Sequence, residues 1–146
     1  MSRYRLDCHG TWLSVCCSLV ICPREFVEKV VAAVDCGIVI NPDAAANMGE
    51  GAIVDGIGNA FFGELTFKDG VPEKNNFHQY RMIRQKEAPK SIEVHFVKND
   101  IDPTGLGEPL FPPTFAAVAN ALYKATGKRF YDQPYGKELE NTIQRM

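Results

Sequence analysis

The sequence is short of the features that mark nucleic-acid-binding, membrane-spanning and disulfide-stabilised proteins. No run of Lys and Arg exceeds two residues and the net charge is −2, so nothing favours nucleic acid or an anionic membrane as a partner. The apolar stretch at 12–22 is too short to span a bilayer, and we expect a strand there without membrane insertion. The five cysteines are odd in number and lack a Cys-x-x-Cys spacing, which argues against a disulfide framework.

What the sequence does contain is a carboxylate set between glycines and prolines. The stretch Gly105-Leu106-Gly107-Glu108-Pro109 precedes an apolar helical pattern. Glycine lets the backbone approach a neighbour closely and proline restricts φ, so we expect Glu108 to be fixed in direction and partly buried. A fixed carboxylate suits a general base. Taken alone, a Gly-Glu-Pro triplet is more simply explained as a loop whose glutamate faces water, so the interpretation depends on the surrounding sequence.

A second unusual segment is a helix predicted from an N-cap at Asp43 to about Phe62. Its interior contains four glycines: Gly49, Gly51, Gly56 and Gly58. Because each interior glycine costs roughly 1 kcal/mol relative to alanine, something must pack against this helix too closely for a Cβ atom. Close packing within the chain and proximity to a cofactor explain the glycines equally well.

The rest of the pattern predicts an α+β fold: a short, mostly antiparallel sheet with two helices packed on it, in a single domain over 1–146. Strands at 11–21 and 26–34 should form a hairpin through Pro23-Arg24, and Asp69-Gly70 is a strong hairpin-turn signal. Residues 72–90 should form a surface connection and residues 130–146 a flexible tail. The remaining predictions are a strand at 92–96, a helix at 113–126 that ends at Gly127, and a core of Ile53, Ile57, Phe61, Val118 and Leu122.

Five ordered blocks together resemble the molybdenum hydroxylases, the xanthine dehydrogenase and aldehyde oxidase family. The blocks are 34–42, 48–58, 76–81, 92–97 and 105–115. The resemblance runs from about Glu25 to Arg129, is weaker over residues 1–24, and within the family is closest to the isoquinoline 1-oxidoreductase beta subunit and related membrane-linked aldehyde dehydrogenases. Family members are several-fold longer, so the resemblance implies that this chain is the C-terminal portion of a molybdopterin-binding large subunit and of its molybdopterin-binding domain.

The resemblance implies an oxidoreductase segment, inactive in isolation, that hydroxylates an electron-poor carbon of an aldehyde or N-heterocycle with water-derived oxygen. The implied cofactor is molybdenum held by molybdopterin, in a dinucleotide form. This sequence has no Cys motif for an iron–sulfur cluster, so the clusters should lie on a partner subunit. The other implied partners are the remainder of the molybdopterin-binding subunit and a small-molecule substrate, in the cytoplasm or the periplasm. The alternative is a truncated, non-catalytic domain that binds a partner.

The resemblance also assigns roles to residues. Glu108 matches the catalytic base, Met48, Gly49 and Gly107 match positions beside the cofactor, and no residue matches a metal ligand. Family members commonly carry glutamine where this chain has Met48, and the glutamine amide hydrogen-bonds an oxygen on molybdenum. Since methionine has no donor, either Asn47 or backbone groups substitute for it, or the surroundings of the metal are altered.

The remaining chemistry-bearing residues suggest structural roles. His9, His78 and His95 do not share a sequence pattern, so each is expected at the surface or in a hydrogen bond rather than on a metal. Cys36 follows a predicted strand without a nearby cation to lower its pKa, which favours a structural thiol.

Overall fold

The computed structural model describes residues 3–8, 11–22 and 25–143, with side chains described from residue 27 to residue 140. The described chain contains six strands, three α-helices and one short 3-10 helix. In chain order they are β1 (Arg3–Cys8), β2 (Thr11–Cys22), β3 (Glu25–Asp35), α1 (Pro42–Phe62), β4 (Phe67–Lys68), β5 (Val71–Pro72), the 3-10 helix (Gln85–Glu87), β6 (Ser91–Phe96), α2 (Phe111–Thr126) and α3 (Tyr135–Ile143).

The main sheet has the strand order β1-β2-β3-β6. β1 pairs with β2 and β2 with β3 in antiparallel fashion, whereas β3 and β6 are parallel. The predicted hairpin and the mostly antiparallel sheet are therefore confirmed. The Pro23-Arg24 turn lies outside the described residues.

The parallel pair β3–β6 places two chain segments at one edge of the sheet. Val30 pairs with Ile92 and Val34 with Phe96, so both strands end side by side. Parallel strands that end together send their following segments out at the same edge. Residues 36–41 and 97–104 therefore start as neighbours, and they lead respectively to α1 and to the loop that carries Glu108.

The first helix begins one residue after Asn41, which is its N-cap in place of the predicted Asp43. The Asn41 side chain accepts a hydrogen bond from the backbone N–H of Ala44 at 3.1 Å. Pro42 fits the first helical position, because its φ is already helical and that position needs no N–H. This proline moves the cap to the residue before it. The predicted end at Phe62 is confirmed.

Helix α2 begins at Phe111, two residues earlier than predicted, with prolines in its first turn. The buried Thr114 hydroxyl donates to the carbonyl of Leu110 at 2.7 Å. Gly127 ends the helix as predicted, with φ 72° and its N–H bonded to the carbonyl of Tyr123. A left-handed residue at this position favours glycine, which lacks a Cβ atom.

A third helix, α3, lies within the stretch 130–146 that was predicted as a flexible tail, of which residues 144–146 lie outside the described residues, and the prediction of two helices is corrected to three. Tyr135 and Leu139 are buried and belong to the same hydrophobic core as Phe130. A Cβ on Gly136 would lie 2.6 Å from the carbonyl oxygen of Phe61, so α3 lies directly against the end of α1. The sequence pattern did not predict α3 because its few buried apolar residues are surrounded by polar ones.

The connection between α1 and β6 is irregular and largely exposed, as predicted. It begins with the β4–β5 hairpin, where Asp69 and Gly70 both have positive φ, as the predicted two-residue turn requires. Farther along, the Arg81 guanidinium lies 4.1 Å from the ring centroid of Phe62 and pairs with the Glu87 carboxylate. This contact fixes the connection to the end of α1.

The helices cover one face of the sheet and enclose the core. α2 packs on β2, and α1 packs on β6, α2 and α3. All five residues predicted for the core are at most 1% exposed: Ile53, Ile57, Phe61, Val118 and Leu122. The predicted core is therefore confirmed.

We expect Leu122→Ala to lower the free energy of unfolding by about 2–5 kcal/mol, because it opens a cavity at a fully buried site. Leu65→Ala is the matched control, since Leu65 is 48% exposed and its truncation should have little effect. Urea denaturation of both variants measures the difference. Equal unfolding midpoints for the two variants would contradict the position assigned to α2.

The stability of the fold should also depend on pH through Glu87. The hydrogen bond from Arg81 holds the pKa of Glu87 below its ordinary value, burial opposes this, and the N–H of Arg84 adds to the lowering. A carboxyl with a lower pKa when folded stabilises the chain above its unfolded pKa of roughly 4.3, and loses that contribution as pH falls through the folded value.

The stability difference between wild type and Glu87→Gln should therefore be largest near neutral pH and shrink below about pH 4. Denaturation at a series of pH values measures it. Glu73→Gln, an exposed carboxylate of the same connection, is the control and should leave the pH profile unchanged. A difference that stays constant down to pH 3 would refute the interaction.

Candidate functional site

The segment that follows β6 is joined to the segment that follows β3 by backbone hydrogen bonds. The N–H of Ile38 donates to the carbonyl of Ile101, and the N–H of Thr104 donates to the carbonyl of Cys36, each at 3.0 Å. These bonds fix the first part of the loop that leads to Glu108. The loop therefore departs from the sheet edge in a defined direction.

Gly37 makes this close approach sterically feasible. Its φ is +75°, and a Cβ atom there would lie 2.4 Å from the carbonyl oxygen of Asp102. Only glycine meets both conditions without strain. The side-chain amide of Asn99 also donates to the Asp35 carboxylate, which ties the two segments together where they leave the sheet.

The other end of the loop is anchored in the core. Leu110 is fully buried, and its Cδ1 lies 2.9 Å from the point where a Cβ would stand on Gly49. The N–H of Phe111 donates to the carbonyl of Glu108 at 3.0 Å and closes a turn. The backbone of Glu108 is thus held close to α1.

Met48 completes the arrangement. Its Cε lies 3.0 Å from the ideal Cβ position of Gly107, although 54% of Met48 is exposed. The four residues that the sequence predicts for the site therefore lie together where the loop crosses the first half of α1. Met48 and Gly107 are in contact, Gly49 lies beneath Leu110, and Glu108 is next to Gly107 in the turn.

Glu108 itself is exposed, which corrects the expectation of a partly buried carboxylate. The turn and the Leu110 anchor hold its backbone, whereas its side chain extends from the surface. Within the part of the chain that the structure describes, Glu108 is fixed at the backbone without being desolvated.

The four glycines of α1 fall into two groups. A Cβ would lie 2.9 Å from Leu110 at Gly49, 2.9 Å from Thr114 at Gly56 and 2.8 Å from Ile83 at Gly58, so packing within the chain accounts for these three. Gly51 is exposed, and no atom of the described residues lies within 4 Å of its Cβ position.

Sequence spacing does not distinguish Gly51 from the buried Gly58, because Gly51 lies seven residues before Gly58 and thus on the same face of the helix. Only the course of the connection, which covers Gly58 through Ile83 and leaves Gly51 open, separates the two.

Thr104 was not predicted from the sequence. Its buried hydroxyl oxygen has no hydrogen-bond partner among the described residues, and no sequence signature marks such an atom.

Other chemistry-bearing residues are placed as predicted. Cys36 is a buried free thiol, and burial, followed by the nearby charge of Asp35, raises its pKa, so the reactive thiolate is disfavoured. His78 and His95 are exposed, while His9 lies outside the described residues. Over the described ranges, no group of three His, Cys, Asp or Glu residues could hold a metal ion.

The length and hydropathy of a helix decide whether it can cross a membrane. Of the helices within residues 3–8, 11–22 and 25–143, none is both long and apolar enough to cross a bilayer.

Comparison with known proteins identifies the class of this domain. The family model described as "Molybdopterin cofactor-binding domain" matches residues 25–89. The membrane-bound aldehyde dehydrogenase [pyrroloquinoline-quinone] of Gluconacetobacter polyoxogenes is 31% identical over 107 residues, which are 73% of this chain and 14% of that protein. The isoquinoline 1-oxidoreductase subunit beta of Brevundimonas diminuta is 32% identical over 108 residues, or 74% of this chain and 14% of the relative.

Among solved structures, quinoline 2-oxidoreductase from Pseudomonas putida 86 shares the fold with a TM-score of 0.69 and 22% identity, over 81% of this chain and 16% of the other. The chain therefore belongs to the family of xanthine dehydrogenases and aldehyde oxidoreductases, as a homologue of part of their molybdopterin-binding subunit. This confirms the resemblance seen in the sequence. The chain spans about one seventh of the length of these curated relatives.

The two groups of glycines predict opposite effects of alanine. Gly51→Ala should raise the free energy of unfolding by about 0.5–1 kcal/mol, because it removes an interior helix glycine without a steric conflict. Gly56→Ala should lower it by about 1–3 kcal/mol, since the added methyl meets Thr114 and the Phe111 carbonyl. Chemical denaturation of both variants measures the signs, and a destabilised Gly51→Ala would show that an unseen contact covers that position.

Proposed function

We propose that this chain supplies the proton-accepting glutamate of a molybdenum-dependent oxidoreductase, with Glu108 as the general base. The observation that carries the proposal is the contact between Gly107 and Met48. Met48 lies within the segment that matches the molybdopterin cofactor-binding domain, so the turn that carries Glu108 lies against that segment. A carboxylate with a fixed backbone beside a cofactor segment has the position that a base needs.

The residues present fit a molybdopterin bound beside the first half of α1. Gly51 leaves open space where a large group can approach the helix backbone. Among the described side chains, no group of three His, Cys, Asp or Glu residues could ligate a metal, so these residues would hold the organic part of the cofactor. Bound there, the cofactor supplies redox chemistry for the oxidation of a C–H bond.

The chain's own contribution is position and proton transfer. Met48 and Gly107 would lie beside the cofactor, and Gly49 would act indirectly by seating Leu110 under the turn. A carboxylate oxygen of Glu108 would be placed to accept a proton from a water-derived hydroxyl beside the substrate, while the bound cofactor would supply the two-electron oxidation of the substrate C–H bond. Because burial makes a carboxylate more basic and Glu108 is exposed, we propose that the remaining polypeptide of the subunit covers it.

The substrate class follows from the relatives by analogy. Their names include aldehyde oxidoreductase, isoquinoline 1-oxidoreductase and nicotinate dehydrogenase subunits, so we propose an aldehyde or an N-heterocycle as substrate. One relative's name carries pyrroloquinoline quinone instead. We favour molybdopterin because the matching family model is the molybdopterin cofactor-binding domain. Its dinucleotide form is proposed from the resemblance in the sequence alone. Electrons would leave through iron–sulfur clusters on a partner subunit.

In the assembled enzyme, Glu108→Gln should lower turnover by about 10²–10⁴-fold, because glutamine keeps the size of the side chain but cannot accept the proton. Molybdenum content by mass spectrometry and the unfolding midpoint should stay at wild-type values. Glu140→Gln, an exposed carboxylate on α3, is the control and should keep full activity. A Glu108→Gln enzyme that retains more than about a tenth of the wild-type rate would exclude the base assignment.

A further inference from the structure

We propose that Met48 is a positioning residue, whose terminal methyl packs on Gly107 and thereby sets the direction of Glu108. The inference rests on the proposed function of Glu108, but its structural part can be tested without activity. The Met48 Cε lies 3.0 Å from the place where a Cβ would stand on Gly107. No other heavy atom of the described chain, apart from the immediate neighbours of Gly107, lies within 4 Å of that point.

The contact acts on the stretch of the loop that lies between two anchors. Thr104 is bonded to Cys36 on one side of the loop and Leu110 is buried on the other. Between these anchors, the partly buried Leu106 packs against the core, whereas no atom of the described residues lies within 4 Å of the Cβ position of Gly105. Glycine has more backbone freedom than any other residue, so the glycines on either side of Leu106 keep rotational freedom that these anchors do not remove.

Glu108 is therefore restrained from two directions. Pro109 limits the backbone of Glu108 from the C-terminal side, because the residue before a proline has a reduced choice of conformations. The Met48 methyl limits Gly107 from the N-terminal side. Removing that methyl would let Gly107 rotate and carry the carboxylate with it.

The role of Met48 is steric, because its thioether has no donor and is only a weak acceptor. A glutamine side chain has the same number of heavy atoms along its length and reaches equally far. Met48→Gln should therefore preserve the contact with Gly107, whereas Met48→Ala should remove it. Met82→Ala is a matched control, since Met82 is 48% exposed and Met48 is 54% exposed.

The structural test uses the full chain labelled with ¹³C in its methionine methyl groups. We expect a nuclear Overhauser effect between the Met48 methyl and the Hα atoms of Gly107. Met48→Ala should shift the amide resonances of Gly107 and Glu108, whereas Met48→Gln and Met82→Ala should leave them near wild-type values. Absence of this Overhauser effect, or unchanged Gly107 and Glu108 resonances in Met48→Ala, would overturn the proposal.

The functional test uses the assembled enzyme. We expect Met48→Ala to lower kcat by about 10–100-fold, as expected for a displaced catalytic group, with KM unchanged and with Met48→Gln restoring kcat. If Met48→Gln is as slow as Met48→Ala, the steric role is wrong. An inactive Glu108→Gln enzyme beside a fully active Met48→Ala enzyme would refute the positioning role and leave the base assignment standing. An active Glu108→Gln enzyme would instead refute the proposed function, whatever the resonances show.

Discussion

The parallel pairing of β3 with β6 is the constraint on which the candidate site depends. Antiparallel neighbours would send their following segments out at opposite edges of the sheet, whereas this pair ends at one edge. The segment that starts α1 and the segment that carries Glu108 are therefore adjacent before any side chain contributes. Hydrogen bonds between 36–38 and 101–104 then fix their separation, and the buried side chain of Leu110 fixes the end of the loop.

Helix α1 is covered by other parts of the chain at three of its glycines and open to solvent at the fourth. Its buried glycines allow Leu110, Thr114 and Ile83 to approach the helix axis, which brings the loop, α2 and the connection into one core. Gly51 takes no part in this packing. It lowers the intrinsic stability of the helix, and no described residue packs against its Cβ position. A residue of this kind is typical of a surface that a ligand or another polypeptide approaches, and it lies three residues from Met48.

The surface at the ends of β3 and β6 is open and partly apolar. Ile38, Ile40, Val97 and Ile101 are each at least 45% exposed, and a cavity of about 430 Å³ lies between residues 37–42 and 94–99. Apolar side chains grouped on a surface are typical of an interaction site. The curated relatives extend far beyond the matched region, so the exposed Glu108 and this apolar surface agree with the proposal that the chain works within a larger subunit.

The sequence by itself determined the elements that depend on local chemistry. The Asp69-Gly70 turn, the Gly127 helix end, the periodic core of Ile53, Ile57 and Leu122, and the β2–β3 hairpin follow from backbone preferences and from the spacing of apolar residues. The loop motif also led to Glu108 and its family. Local patterns missed α3, since its fold depends on a few apolar residues that meet Phe61 only in three dimensions.

Only the tertiary structure decided which glycine is covered, which is open, and that Met48 lies on Gly107. These facts depend on the paths of distant segments: Gly51 and Gly58 share one helix face, and the course of residues 80–83 alone distinguishes them. The exposure of Glu108 was decided in the same way, because the flanking glycines and prolines restrict its backbone but do not determine what covers its side chain. Local sequence fixes conformation, whereas burial is a property of the neighbours that folding brings together.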